Sequence, residues 1–194
     1  MEEILNNIYN YIIEIINSSD IYGPLFAAFL ISVESILPIL PLFVFITIIF
    51  VSYGYVLGFI IAYLCTCIGC ILSFFLCRTF LKNFFSKKIR KIKNFDLLMK
   101  IVDRLSLSKL VLLLAIPFTP AFVINLASGL SNMSFKKYFI AILISKISLV
   151  IFWGFIGTSL LASLQNPKII IVVILLVSIA CLFSKIVANK LNIK

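Results

Sequence analysis

The sequence predicts an all-α integral membrane protein made of two inverted repeats, each a Pro-broken re-entrant helix followed by a transmembrane span. First, 63% of the 194 residues are hydrophobic, whereas an ordinary soluble domain is about 45–50% apolar. Second, two apolar segments are each interrupted by a pair of prolines. Third, the basic residues are concentrated in one window between apolar segments. Because too few polar residues are present to cover a water-exposed surface, lipid is the expected solvent.

The spacing of apolar residues divides the chain into three parts. In the N-terminal part, Ile4, Ile8 and Ile12 share one helical face and polar residues occupy the others, which is typical of an interfacial amphipathic helix. A first membrane span is the alternative for this part. The predicted parts are an amphipathic segment at 1–21, a membrane domain at 22–164 (repeat one 22–81, a basic loop 82–109, repeat two 110–164), and a C-terminal transmembrane helix with a basic tail at 165–194.

Two prolines, Pro38 and Pro41, interrupt the first apolar segment just after Glu34. The pieces on either side, 21–33 and 42–50, would each cross only about half of a ~30 Å hydrocarbon core at 1.5 Å per residue. Proline lacks a backbone donor and breaks the helix. The segment is therefore either one kinked span or a re-entrant hairpin that enters and leaves on one side.

The basic residues indicate a topology. Residues 1–77 contain five carboxylates and no Lys or Arg, and ten of the 17 basic residues lie between Arg78 and Lys109. The positive-inside rule then places the loop 78–109 and the C-terminus in the cytoplasm, in a multi-pass protein of the plasma (inner) membrane. We expect this loop to contact anionic lipid headgroups. A nucleic-acid partner is not expected, because such a binder would carry its basic residues on a soluble surface.

Enzyme chemistry is poorly supported by the composition. The chain has no histidine and only seven carboxylates, so a general acid–base pair is hard to assemble. Four of the five cysteines lie between Cys65 and Cys77, where positions two apart point to different faces of a helix and cannot surround a metal. We therefore predict a protein that is not an enzyme and that has no cofactor or metal.

An internal repeat relates the two broken segments. Pro38, Pro41 and Phe43 match Pro117, Pro120 and Phe122 in the pattern Pro-x-x-Pro-x-Phe-Val, at an offset of 79 residues (117 − 38). Combined with the charge rule, the offset predicts that the two halves have opposite orientations. Inverted repeats whose broken helices meet near the midplane are a transporter design, with the site at the repeat interface.

Several motifs resemble those of one family. They are Glu34 before the first proline pair, Gly69 with Phe74-x-x-x-Arg78, the run Pro117-Phe118-Thr119-Pro120 followed by Asn125, Gly129, Met133 and Phe135, and the Gly154 and Gly157 region. Over residues 25–160 the chain resembles the DedA-like VTT-domain superfamily, also called the SNARE-associated Golgi protein family. The resemblance implies two inverted repeats and the translocation of lipids, which are polyprenyl phosphates in bacterial members and phospholipids in eukaryotic relatives. It also implies a link to the proton gradient in some bacterial members.

The chain departs from the family pattern at two places. Ala115 stands where members often carry an arginine, two residues before Pro117. Leu42 and Phe43 stand where many members carry an acid after the first proline pair.

Three ionisable residues are candidates for substrate binding or coupling. Glu34 is the only carboxylate within an apolar segment, where a charge costs roughly 2.5 kcal/mol or more; it is either a proton or cation site or a group at the outer interface. Arg78 is either a phosphate-binding fork or the basic anchor that closes a span. Lys146 either pairs with Glu34 or a lipid phosphate, or extends to the cytoplasmic surface.

The remaining candidates are polar or helix-breaking. Asn125 and Thr119 either satisfy freed backbone groups or touch the substrate. Half-helix N-termini at broken helices favour anionic groups, and a purely structural kink is the alternative. The predicted helix breakers are Pro38, Pro41, Pro117, Pro120 and Gly129.

Three functions fit these features. The first is a lipid flippase or scramblase that acts on phospholipid or polyprenyl phosphate in membrane homeostasis, with membrane lipids as partners. The second is an ion-coupled secondary carrier for a small solute, and the third is a membrane scaffold that transports nothing. The sequence leaves the oligomeric state open, and a homo-oligomer is one possibility.

Overall fold

The computed structural model describes residues 22–35, 42–81, 95–118, 121–166 and 168–190, and within them all regular structure is helical. The predictions for residues 1–21, Pro38, Pro41, Thr119 and Pro120, and those for 82–94, lie outside the described residues. The helices are α1 (Tyr22–Glu34), α2 (Leu42–Leu76) with a π-helical turn (Cys77–Leu81), α3 (Phe95–Arg104), α4 (Leu107–Ala115), α5 (Ala121–Leu130), α6 (Phe135–Ser163) and α7 (Lys168–Lys190).

The predicted all-α membrane fold is confirmed. Among the described residues, three helical stretches are long and apolar enough to cross a membrane: Leu42–Phe80, Phe135–Ser163 and Lys168–Val187. The third, within α7, corresponds to the predicted C-terminal transmembrane helix. The predicted basic loop 82–109 includes α3, whose apolar side buries Val102.

A sharp reversal at Gly54 divides α2. A straight helix of its 35 residues would be about 52 Å long, well beyond a ~30 Å hydrocarbon core. Gly54 has φ 74° and ψ 177°, a conformation that is essentially restricted to glycine. A Cβ on Gly58 would lie 2.9 Å from the Phe50 Cα, although residues eight apart in a straight helix are separated by about 12 Å. The arms 42–53 and 55–76 therefore fold back on each other.

The glycines of α2 have different roles. In an apolar helix, small residues such as Gly54, Gly58 and Gly69 predict the close approach of another helix. Such an approach occurs at Gly58 and Gly69, but a Cβ on Gly54 would meet nothing within 4 Å. For Gly54 that expectation is wrong, because its backbone conformation, and not the space around it, requires glycine.

Helix α1 packs against the 55–76 arm at Gly69. A Cβ there would lie 2.6 Å from the Ser32 carbonyl oxygen and 2.8 Å from the Ser35 Cβ. The Ser32 hydroxyl donates to the Cys65 carbonyl at 3.2 Å. Because Ser32 contacts Cys65 and Ser35 contacts Gly69, α1 runs in the same direction as this arm.

A second interruption separates α4 from α5. The Ser106 hydroxyl caps α4 by accepting from the Lys109 amide at 3.4 Å. After Pro117 the chain turns through Phe118, which has φ 67°. Helix α5 then packs along the 55–76 arm, where a Cβ on Gly129 would lie 2.9 Å from the Phe74 carbonyl oxygen.

Helix α6 runs antiparallel to the 55–76 arm and carries most of the remaining packing. The Tyr63 hydroxyl donates to the Leu143 carbonyl at 2.9 Å, and the Phe74 and Tyr138 rings stack with centroids 4.6 Å apart. Further along α6, a Cβ on Gly154 would meet the Phe50 ring at 2.5 Å. The long helix thus contacts both arms of α2 and brings its own mid-section against the interrupted helices.

Candidate functional site

Glu34 ends α1 at the edge of the first interruption and is half-buried. Its depth follows from its neighbours, because Ser32 and Ser35 contact the 55–76 arm at Cys65 and Gly69. Gly69 lies about 22 Å along that arm from the Gly54 reversal. A carboxylate is therefore held well within the apolar part of the protein.

Lys146 lies near the middle of α6 and only 3% of its side chain is exposed. Its positive charge attracts the Glu34 carboxylate and also acts on the Cys67 thiol. No hydrogen bond or ion pair within 4 Å joins it to another residue in the described ranges. The charge of Lys146 thus acts on the carboxylate of Glu34, 112 positions earlier in the chain (146 − 34); we call these two residues the intramembrane pair.

Arg78 lies at the end of the 55–76 arm, where its guanidinium closes the C-terminus of α5. Nε donates to the Gly129 carbonyl at 3.4 Å, and Nη2 donates to the carbonyls of Ser131 and Met133 at 3.0 and 2.7 Å. The guanidinium carbon also lies 4.4 Å from the centroid of the Phe74 ring. These carbonyls have no intrahelical donor at a helix end, and the planar fork of arginine satisfies several at once.

Asn125 is 2% exposed and belongs to a buried polar cluster. Its Oδ1 accepts from the Tyr138 hydroxyl at 3.0 Å, and its Nδ2 donates to the Cys70 sulfur at 3.5 Å. The Tyr138 hydroxyl also lies 3.3 Å from the Cys70 carbonyl oxygen. The amide thus ties α5 to α6 and to the 55–76 arm.

Two of the predicted helix breakers, Pro117 and Gly129, lie within the described residues. Pro117 is half-buried and directly follows the end of α4. Gly129 is buried, and a Cβ there would lie 2.6 Å from the Cys77 Cβ. Gly129 therefore allows the end of α5 to pack closely against Phe74 and Cys77.

Two residues that contact the interrupted helices, Tyr138 and Trp153, were not predicted from the sequence. Tyr138 is fully buried and bridges Asn125 and Cys70. Trp153 contacts Phe118 at 5.4 Å and Phe43 at 5.9 Å between ring centroids. The one available signal was that Trp153, the single tryptophan, follows Lys146 by seven positions and so shares its helix face.

An apolar groove of about 510 Å³ lies where the 55–76 arm meets α6. Its walls include exposed apolar side chains, such as Val56 at 73% and Ile151 at 53%. Such a surface faces lipid. The lining residues are Phe50, Tyr55, Val56, Phe59, Ile60, Ile151 and Phe155.

The described residues contain no group of three or more Cys, Asp or Glu side chains arranged to hold a metal ion. The cysteines are free thiols, and three of them are buried: Cys67, Cys70 and Cys77.

Interrupted helices packed against long apolar helices, with a buried lysine on one of the long helices, define an integral membrane protein with a helical membrane domain. The VTT-domain family model matches residues 37–159, so the chain belongs to the VTT-domain family of transporter-like membrane proteins. The predicted resemblance is confirmed. The chain is also similar to YhjE, an uncharacterized membrane protein of Bacillus subtilis (strain 168), with 29% identity over 184 residues that cover 95% of this chain and 89% of the relative. No solved structure matches the chain.

Proposed function

We propose that this protein is a lipid translocator, a flippase or scramblase for phospholipid or polyprenyl phosphate that acts in homeostasis of the plasma membrane. The observation that carries the proposal is Lys146, a cation that is 3% exposed within an apolar helical domain. Intramembrane charges are costly and mark substrate or ion pathways. A phosphate headgroup is the lipid component that such a cation would attract.

Element spacing supports two repeats. Helix α5 begins at Ala121, 79 residues (121 − 42) after Leu42 begins α2, and the two proline pairs have the same offset. The reversal at Gly54 corresponds to Met133, in the connection just before α6. Corresponding breaks at one offset are expected of repeated units.

Cross-packing supports an inverted relation between the repeats. Phe50, on the second arm of repeat one, packs on Gly154 of the long helix of repeat two. Gly129 occupies the position of Phe50 in repeat two, and it packs on Phe74 of the long helix of repeat one. Each interrupted segment therefore packs against the long helix of the other half, as a two-fold pseudo-symmetry requires.

Contact depth supports re-entrant hairpins over kinked spans. Helix α1 reaches Gly69, about 22 Å from the Gly54 end of the 55–76 arm, and the 42–53 arm returns to Gly54. Helix α5 contacts Cys70 and Phe74 of the same arm and ends beside Arg78. In our proposal the two hairpins enter from opposite faces and overlap in depth, with the Arg78 end cytoplasmic under the positive-inside rule.

In the proposed mechanism the headgroup passes beside the intramembrane pair while the lipid tail stays in the bilayer. Lys146 attracts the phosphate and Glu34 is the titratable group. Arg78 already donates to three carbonyls, so its anchoring role is the better supported of the two predicted for it. The groove of about 510 Å³ is lined by apolar side chains, several of them exposed, and such a lining suits a lipid tail.

One observation favours an ion-coupled carrier of a small solute as the second candidate. Lys146 is almost sealed from the surroundings, and a carrier needs a water-sealed site. Substrate chemistry separates the two functions, because a carrier would accept soluble anions and a translocator would require a lipid.

Reconstitution of the full chain tests the proposal. Purified protein in vesicles with fluorescent phosphatidylglycerol or phosphatidylcholine should accelerate the exchange of the anionic lipid between leaflets, with and without an imposed pH gradient. The Lys146→Gln variant should lose most of the acceleration, and Lys136→Gln, which removes an exposed charge, should retain it. No acceleration of any phospholipid or polyprenyl phosphate under any gradient would refute translocation. A wild-type cellular phenotype for inserted Glu34→Gln and Lys146→Gln variants would indicate a scaffold.

A further inference from the structure

We infer that helix α3 is coupled to the membrane domain through a single peptide group, and that Asp103 is a positioning residue for the connection between α5 and α6. This peptide joins Ser131 to Asn132 within that connection, residues 131–134. Arg78 binds it from one side and Asp103 from the other. The effect on lipid movement rests on the proposed function, but the coupling itself does not.

A cation binds one side of the peptide. The Ser131 carbonyl accepts from Arg78 Nη2 at 3.0 Å, and the same nitrogen donates to the Met133 carbonyl at 2.7 Å. The Phe74 ring also fixes the position of the guanidinium, since the ring centroid lies 4.4 Å from the guanidinium carbon. Arg78 thus reaches the connection from the end of the 55–76 arm.

An anion binds the other side of the peptide. The Asn132 amide donates to Asp103 Oδ1 at 2.9 Å. The residues around Asp103 keep α3 in place, because Val102 is 2% exposed and Leu105 is 7% exposed. Both belong to the same apolar cluster as Met133 of the connection. The half-buried Asp103 carboxylate is therefore held against the amide by a helix that is itself packed on the membrane domain.

The two contacts use opposite ends of one peptide group. The C=O of Ser131 and the N–H of Asn132 belong to the same peptide, and in a trans peptide these two bonds point in opposite directions. Arg78 and Asp103 therefore lie on opposite sides of the main chain and interact through it. A carboxylate at the N–H polarises the peptide and makes its oxygen a stronger acceptor for the guanidinium.

The connection is short and internally braced. The Ser131 hydroxyl donates to the Ser128 carbonyl at 3.1 Å and accepts from the Met133 amide at 3.2 Å. Helix α6 begins two residues later, at Phe135. A shift of the connection is therefore transmitted to the start of α6, eleven residues (146 − 135) before Lys146, or about 16 Å along the helix.

Helix α3 belongs to the basic loop 82–109, which we expect to contact anionic headgroups. Through the shared peptide, a displacement of α3 at the membrane surface would reach both α5 and α6. A helix that only covered the apolar cluster would need Val102 and Leu105 but not Asp103. The role of the Asp103 carboxylate therefore separates a coupled helix from a simple cover.

Hydrogen exchange of the full chain in nanodiscs tests the coupling, with mass spectrometry of peptides that contain residues 130–134. Asp103→Ala should raise the exchange rate of the Asn132 amide about tenfold, equivalent to about 1.4 kcal/mol. Arg78→Gln should raise it by a similar factor. Because both side chains act on one peptide, the double variant should exceed either single variant by less than about threefold, whereas independent contacts would multiply to about a hundredfold.

Two exposed positions provide matched controls. Asn132→Ala removes the side chain but keeps the backbone amide, and Arg104→Gln removes a charge next to Asp103. Both should leave the exchange rate within about twofold. Asp103→Glu should restore most of the protection that Asp103→Ala loses. If Asp103→Ala does not fold, Asp103→Asn replaces it, because it keeps the shape and removes the charge.

The outcomes separate this inference from the proposed function. An unchanged exchange rate in the folded Asp103 variant, or multiplicative effects in the double variant, would overturn the coupling even if the wild type translocates lipid. Coupled hydrogen exchange in a protein that moves no lipid would uphold the coupling and refute translocation. In a protein that does translocate, Asp103→Ala should lower phosphatidylglycerol exchange several-fold and Asn132→Ala should not. Equal lipid exchange in these two variants would refute the positioning role.

Discussion

The indole of Trp153 and the ring of Phe118 meet edge to face, with centroids 5.4 Å apart and planes at 73°. Phe118 belongs to the turn between α4 and α5 and has φ 67°, which is an outlier for a bulky residue and costs about 1–3 kcal/mol. Its contacts with Trp153 and Phe152 offset part of that cost. Trp153 also contacts Phe43, just after the first interruption, so one side chain of α6 touches both interrupted segments.

The Trp153→Leu substitution should loosen both interrupted segments. Loss of contacts with Phe43, Phe118 and Phe152 should lower the free energy of unfolding in detergent by about 2 kcal/mol, since each aromatic pair contributes about 0.5–1.5 kcal/mol. If the segments separate during transport, lipid exchange should also change several-fold. Ile147→Ala is the control, because Ile147 lies on the same helix and is 45% exposed. Equal effects of the two substitutions would show that the Trp153 contacts have no special role.

Arg78→Lys should behave like Arg78→Gln and not like the wild type. An ammonium cannot span the carbonyls of Gly129, Ser131 and Met133 as a planar guanidinium does. Hydrogen bonds to charged groups contribute about 1.5–3 kcal/mol, so we expect a loss of about 2 kcal/mol in detergent unfolding for both variants. Lys136→Gln removes an exposed charge and should be neutral. Full stability of Arg78→Lys would indicate that only the charge matters.

Gly54→Ala should destabilise the protein by about 1–3 kcal/mol through its backbone conformation alone. A Cβ there would meet no atom within 4 Å, so the cost is not steric crowding between helices. Gly54→Asn should be equally harmful, because ψ 177° lies outside the left-handed helical region that Asn tolerates. Ser148→Ala, at an exposed position of α6, is the control. Thermal unfolding in detergent measures the effect, and rescue by Asn would contradict the assigned conformation.

Tyr138→Phe should cost about 1–3 kcal/mol, because the buried Asn125 Oδ1 loses its donor. Tyr55→Phe removes the same hydroxyl from a residue that is 66% exposed and should be neutral. In a double-mutant cycle with Asn125→Leu, the double variant should lose less stability than the sum of the two single losses, by a similar amount. Additive effects would show that the two residues do not depend on each other.

Much of the architecture could be predicted from the sequence because single residues carry it. The paired prolines mark interruptions whose flanking helices begin at Leu42 and Ala121 and end at Glu34 and Ala115. Long apolar runs gave α6 and α7 to within a few residues. The reversal at Gly54 could not be recognised, because a glycine in an apolar run signals close helix packing just as well as a break.

The residues of the candidate site were predicted from the sequence, but their partners were left open. Glu34 and Lys146 stood out because charges within apolar segments are rare, but the pairing of positions so far apart depends on how the helices pack. Arg78 was expected either to bind phosphate or to anchor a span, and its carbonyl partners on residues 129–133 decide how its donors are used. Tyr138 and Trp153 gave no motif, since aromatic residues are common on apolar helices.

The sequence by itself determined that the helices lie in lipid, how long they are and where proline interrupts them. These properties depend on local composition and backbone chemistry. Only the tertiary structure decided that Lys146 is buried, that Arg78 closes α5, and that Trp153 contacts both interrupted segments. The physical reason is that helices in lipid are apolar on every side, so their sequence periodicity does not reveal which faces contact each other. That choice depends on close contacts at a few glycines and buried polar groups between distant parts of the chain.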